Sequence, residues 1–271
     1  MPEDTVYVTT LRDPSEQLRS AYSYFNANHC FGVNYSTFLM TDDKEPYFNG
    51  GQCNQFFNWW LKNGQIFDLG LDTISNLTVE AVKRTISNVD KRFGVVLLLE
   101  RLDESLIVMR DYFDWSTDDV VYINKNFQLH DERSVRVEDT SSDKLRHVAS
   151  RWNWADTLLY QHFYRRHDLL IRTKPEYYAK EVKKLRDRIK YWTKVCVKRV
   201  IPANSSLIDN KFLLPFSSKT GVYLPTDRGR HIDKCVQLVM PEVPKVRLLN
   251  AHTAVNAETF AGGILTDTGS S

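Results

Sequence analysis

Residues Val6 to Phe25 read VYVTTLRDPSEQLRSAYSYF, and the fold class turns on how that stretch divides. Val6 to Thr10 is β-branched and aromatic, which predicts a strand. Asp13-Pro14 predicts a helix start, with Asp13 as N-cap and Pro14 at the first helical position. Leu18, Ala21, Tyr22 and Phe25 then recur at steps of three and four, so the helix has one face to bury. The unit is strand, tight turn, helix. Arg12 falls where the strand ends and the helix begins, the position at which α/β sheets place ligands, and its planar fork suits a phosphate. The helix behind it is expected to offer free N–H groups and a partial positive charge. Ser20, eight residues on, carries a hydroxyl that can donate to the same anion. The same residues also admit a plain structural reading, in which Arg12 pairs with Asp13 or Glu16 and Ser20 back-bonds within its helix.

Outward from this unit, strand and helix alternate. Phe93 to Leu99, FGVVLLL, is apolar on both faces and predicts a central parallel strand. A short helix over Val79 to Val89 precedes it, and Asp103 is expected to cap the helix ESLIVMRDYFDW that follows. Val120 to Ile123 reads as a further short strand. Long helices are predicted over Asp143 to Arg165 and Glu176 to Arg199 from their apolar periodicity. Between the first helix and Thr78 the chain reads as a loop-rich insertion with aromatic anchors at Phe56, Phe57, Trp59 and Trp60 and a turn at Asn63-Gly64. Such a long insertion is more often a binding region than a connector. The pattern weakens past residue 200, giving an expected division into residues 1–200 and a C-terminal extension, 201–271, with a flexible end.

At 271 residues and 42% hydrophobic content the chain can bury a substantial core. The net charge of +2 points to no nucleic-acid partner, although residues 172–199 carry eleven Lys/Arg against three Asp/Glu on a predicted helix. That basic face reads either as a solvated surface or as a contact for an anionic membrane or acidic glycan. The longest apolar run, Val95 to Leu99, is a strand length rather than a membrane span. Cys30, Cys53, Cys196 and Cys235 lack C-x-x-C spacing, which argues against a zinc site and leaves two disulfides or four thiols open. Sequons stand at Asn34, Asn76 and Asn204.

The segment TLRDPSEQLRSAYSYF resembles the 3'-phosphate-binding motif of sulfotransferases that use 3'-phosphoadenosine-5'-phosphosulfate, PAPS. IFDLGLD (Ile66 to Asp72), VLLLERLDESLIVMRDYFDWSTDDVVYINKN (Val96 to Asn126) and WNWADTLLYQHF (Trp152 to Phe163) resemble, in the same order, blocks of the galactose-3-O-sulfotransferases. The resemblance implies that Arg12 and Ser20 bind the 3'-phosphate. It implies a P-loop-like α/β fold with a central parallel sheet flanked by helices. It also implies sulfuryl transfer to the 3-hydroxyl of a terminal galactose on a glycolipid, galactosylceramide-like, or a glycan, with no metal, on the luminal side of the Golgi membrane. Glu100 to Asp103 and Tyr122 to Asn126 fall near strand ends without an assigned role, and Tyr160, His162 and Phe163 read equally as helix packing.

Sulfuryl transfer is an in-line displacement, so it needs a cradle for the phosphosulfate, a base and an oriented sugar. The family's phosphosulfate loop follows a first strand upstream of the Arg/Ser motif. The expectation is therefore an amino-terminally incomplete chain, with that strand, loop, membrane anchor and catalytic base before Met1. Lys219 to Gly221 reads as a turn rather than that loop. Histidines 29, 130, 147, 162, 167, 231 and 252 have no orienting carboxylate at a motif spacing, and no catalytic residue is assigned. Two other classes stay open: a non-catalytic fragment or pseudoenzyme keeping half a nucleotide site and a glycan-binding surface, and a kinase-like enzyme, against which the lack of a Walker-type loop counts.

Overall fold

The structure, a computed structural model, describes residues 5–49, 60–73, 77–124, 143–202, 205, 221–241 and 244–246. They fall into two compact units, Met1–Val120 with Val135–Lys184, and Val121–Ser134 with Leu185–Ser271. The architecture is mixed α/β, with a small parallel sheet and many helices.

In the first unit, β1 (Tyr7–Leu11) pairs in parallel with β2 (Phe93–Leu98). Tyr7 faces Phe93 but Val8 faces Val95, so Gly94 is the extra residue of a bulge. A Cβ on Gly94 would stand 2.6 Å from the Tyr112 hydroxyl and 2.7 Å from a Val6 methyl, which is why this strand interior carries a glycine. As expected, α1 (Pro14–Tyr24) has Asp13 as N-cap and Pro14 in its first turn. Leu18, Ala21 and Tyr22 are buried, and Phe25 packs beside them.

The insertion is more helical than its sequence suggests: α2 (Ala27–Phe31), α3 (Tyr35–Met40), α4 (Glu45–Asn49) and α5 (Gly64–Asp68) are all present. Each is too short to show a periodic stripe. Aromatic packing holds the first three instead, with Phe38 meeting Tyr22, Phe31, Tyr47, Phe48 and Trp152 at centroid distances of 5.2 to 6.3 Å. Phe56, Phe57 and Trp59 lie outside the described residues.

Helix α6 (Val79–Arg92) is capped by the Thr78 hydroxyl and buries Val82, Ile86 and Val89 against Leu11, Leu98, Leu159 and Phe163. A 3-10 turn, Leu99–Arg101, leads into α7 (Leu102–Tyr112), so Asp103 lies in the first turn and not at the N-cap. Val120 to Ile123 is a correction too: a turn ends at Val120, and the described residues 121–124 form no strand. These β-branched residues are buried without a ladder partner among the described residues, so β-propensity reported burial rather than pairing. The single helix expected over Asp143 to Arg165 is two, α8 (Asp143–Trp152) and α9 (Trp154–Thr173). Asn153, at φ −100° and ψ +49°, leaves the helical region between them, and its side chain accepts the Asn63 N–H at 2.7 Å.

Helix α10 (Pro175–Cys196) supplies residues to both units. It ends three residues before Arg199, where β3 (Val197–Pro202) begins and pairs antiparallel with β4 (Gly221–Pro225). Residue 200, the expected division, therefore lies within β3. The second unit packs Ile123, Cys196, Cys235 and Val239 together, with α11 (Asp233–Val239) tied to the end of α10 by a Cys196–Cys235 disulfide. Cys30 is disulfide-bonded as well. No helix among the described residues is long and apolar enough to cross a membrane. The expected flexible end, residues 250–271, lies outside the described residues.

Candidate functional site

The carboxyl ends of the two parallel strands bring together residues far apart in sequence. The ladder stops at Leu11 and Leu98, which are buried. Beyond it the Arg12 N–H donates to Gln65 Oε1 at 2.7 Å, and Gln65 Nε2 donates to the Arg12 carbonyl at 2.9 Å. The Asp13 N–H donates to Glu100 Oε1 at 2.9 Å, and the Tyr160 hydroxyl donates to Glu100 Oε2 at 2.9 Å. Burial and the Glu100 hydrogen bond push the Tyr160 phenol upward, so it stays a donor. Arg146 lies 3.9 Å from Asp13 Oδ2.

Arg12 is half-buried, and no ion pair with a described residue engages its guanidinium. Both carboxylates that the plain reading offered it are used elsewhere: Glu16 pairs with Arg19 at 2.5 Å, and Asp13 caps α1. Ser20 is exposed in the second turn of α1. The helix start itself departs from expectation. Pro14 has no N–H, Asp13 Oδ1 accepts from Ser15 N at 2.9 Å and Glu16 N at 3.3 Å, and Gln17 N bonds the Asp13 carbonyl at 2.8 Å. The amino end of α1 is therefore already capped by an acid, and an anion here depends on side chains rather than on the helix terminus.

Gln65 and Asp156 are the residues that sequence reasoning missed. Asn63 adopts φ +52° and is fully buried. Its Oδ1 accepts from the Ala155 and Asp156 N–H groups, while the Asp156 carboxylate accepts from the Gln65 and Ile66 N–H groups. The Asn-Gly pair was legible as a turn, but nothing local links it to a partner 93 residues away. Burial, opposed by these N–H donors, raises the Asp156 pKa to about 6.

Two of the candidate histidines do face carboxylates, through tertiary contact rather than motif spacing. His162 Nε2 lies 3.4 Å from Asp90, and buried His167 lies 3.7 Å from Glu104. Burial, and next the nearby Arg101, lower the His167 pKa. These pairs join α9 to α6 and to α7 and serve the packing there. Phe163 is core, whereas Tyr160 reaches the strand ends. His130, His252, Lys125 and Asn126 lie outside the described residues. Among the described residues no group of three or more His, Cys, Asp or Glu could hold a metal ion.

The family profile described as Galactose-3-O-sulfotransferase matches residues 1–253. Galactose-3-O-sulfotransferase 2 of Sus scrofa is 31% identical over 253 residues, covering 90% of this chain and 61% of that protein. Galactosylceramide sulfotransferase of Homo sapiens is 29% identical over 268 residues, covering 93% and 60%. Galactose-3-O-sulfotransferase 3 of Mus musculus is 29% identical over 262 residues, covering 90% and 58%. The chain spans about three fifths of the length of these curated relatives. No solved structure matches.

Proposed function

The chain belongs to the galactose-3-O-sulfotransferase family, and on that premise we propose that its protein moves a sulfuryl group from PAPS to the 3-hydroxyl of a terminal galactose on a glycolipid or glycan. In this proposal Arg12 and Ser20 grip the 3'-phosphate, and β1 and β2 belong to a P-loop-like sheet. The observation that carries it is Arg12 itself: a cation at the carboxyl end of a parallel strand, free of any ion pair with a described residue. Ser20 is exposed and available as a second donor.

PAPS supplies the sulfuryl group and a leaving group. The residues described here bind and orient: Arg12 anchors the nucleotide, while Gln65, Glu100 and Tyr160 hold the turn that carries it. The Cys196–Cys235 disulfide supports an oxidising compartment, in keeping with the Golgi lumen. The test is sulfuryl transfer from labelled PAPS to galactosylceramide and to β-galactosyl oligosaccharides by the full-length protein, with the product's linkage read by mass spectrometry. A 3-O-sulfated galactose supports the proposal; an enzyme that binds PAPS yet leaves every galactoside unmodified sinks it.

A further inference from the structure

An anion shared by Arg12 and Ser20 makes a geometric demand. Ser20 stands six residues beyond the first residue of α1, roughly 9 Å along the helix axis at 1.5 Å per residue. The Arg12 side chain must therefore leave the backbone in one direction, folded back along α1, to meet the same phosphate. The β1–β2 ladder does not impose that direction, because it ends at Leu11.

We propose that Gln65 is a positioning residue for this anion site, its side-chain amide setting the direction in which Arg12 leaves the chain. The proposal rests on the assignment of Arg12 to the 3'-phosphate. The amide acts as a surrogate strand partner, accepting the Arg12 N–H at 2.7 Å and donating to the Arg12 carbonyl at 2.9 Å. Both peptide groups flanking the Arg12 Cα are thereby held, and with them its φ and ψ. The amide is itself anchored. The Gln65 N–H donates to Asp156 Oδ2 at 3.2 Å in the first turn of α5, and the neighbouring Asn63 caps α9 in return. Ordering this flexible side chain costs entropy, and both bonds that offset the cost go to the backbone of Arg12, satisfying its N–H and carbonyl and fixing its conformation.

Gln65→Met keeps the side-chain length and removes both bonds. Calorimetric titration with adenosine 3',5'-bisphosphate and with adenosine 5'-monophosphate reads the effect with and without the 3'-phosphate. Expected is about tenfold weaker binding of the bisphosphate and binding of the monophosphate within about twofold of the parent, with the melting temperature lowered by a few degrees because the Arg12 N–H and carbonyl lose their partner. In an Arg12→Ala background Gln65→Met should add nothing further, since the two act through one contact. Gln65→Leu gives the same pattern if the methionine variant folds poorly. Parent-like affinity, equal weakening of both nucleotides, or full additivity with Arg12→Ala would each overturn the proposal. If Arg12→Ala alone leaves the bisphosphate affinity intact, the anion site falls and Gln65 has nothing to position; if Arg12→Ala weakens binding and Gln65→Met does not, only the role of Gln65 is lost.

Discussion

Asn63 and Asp156 cap each other's helices. Asn63 Oδ1 accepts from the Ala155 and Asp156 N–H groups at 3.1 and 3.3 Å, and the Asp156 carboxylate accepts from the Gln65 and Ile66 N–H groups at 3.2 and 2.8 Å. Removing either side chain strands buried donors at a helix start. Asn63→Gly, which tolerates the +52° φ, should cost about 1–2 kcal/mol, and Asp156→Ala about 2–3 kcal/mol. The double variant should cost clearly less than the sum, because each cap orders the other's helix. Urea denaturation of the three variants measures this, and strict additivity would show the caps to be independent.

Asp156 also writes a pH signature. Its folded pKa of about 6 lies above the ordinary 3.8, so the folded state binds its proton more tightly than the unfolded chain. Its contribution is most favourable below about 4 and is lost as pH rises through about 6, a fall of about 3 kcal/mol at 1.36 kcal/mol per pH unit. Asp156→Asn removes that titration. Stability of the parent minus that of the variant should fall between pH 4 and 6 and stay level on either side. A flat difference curve would mean that Asp156 is ionised in the fold at no cost.

Arg110 is 7% exposed and uses all five of its guanidinium donors: two reach Asp111 and one each Thr117, Glu181 and Tyr177. Glu181→Ala leaves this buried charge under-compensated and should destabilise the protein by about 3 kcal/mol. Adding Arg110→Met to Glu181→Ala removes the stranded charge and should recover part of the loss. A double variant less stable than Glu181→Ala alone would show that Arg110 stabilises through its remaining partners.

The two side chains proposed for the 3'-phosphate should differ in weight. Arg12→Ala is expected to weaken adenosine 3',5'-bisphosphate by about 2–3 kcal/mol and Ser20→Ala by about 1 kcal/mol, since one contact is charge-assisted and the other neutral. Arg12→Lys, keeping the charge but not the fork, should fall between parent and alanine. Calorimetry at two salt concentrations checks both size and origin, because the Arg12 share shrinks as salt rises.

Local signals carried much of the fold. The β-branched run, Asp13-Pro14 and the three-and-four spacing of Leu18, Ala21 and Tyr22 placed β1, the turn and α1, and FGVVLLL placed β2. Each is written within a dozen residues and acts through backbone conformation and a buried face, which neighbours in sequence decide. The same local rules misread Asn153, Asp103 and Val120 to Ile123. They also suggested an open helix terminus at α1, although the Asp13 that starts the helix occupies those N–H groups itself.

Arg12 and Ser20 could be named from the sequence because the motif that carries the resemblance lies within one contiguous strand–turn–helix unit. Gln65, Glu100, Tyr160 and Asp156 could not be placed around them. Their contacts close loops of 53 to 91 residues, and hydrogen bonds of that separation leave no periodicity in the chain. Packing of α5 and α9 against the strand ends decided which amide holds Arg12. A polar side chain's partner follows from where burial strands a donor, and only the assembled core determines that.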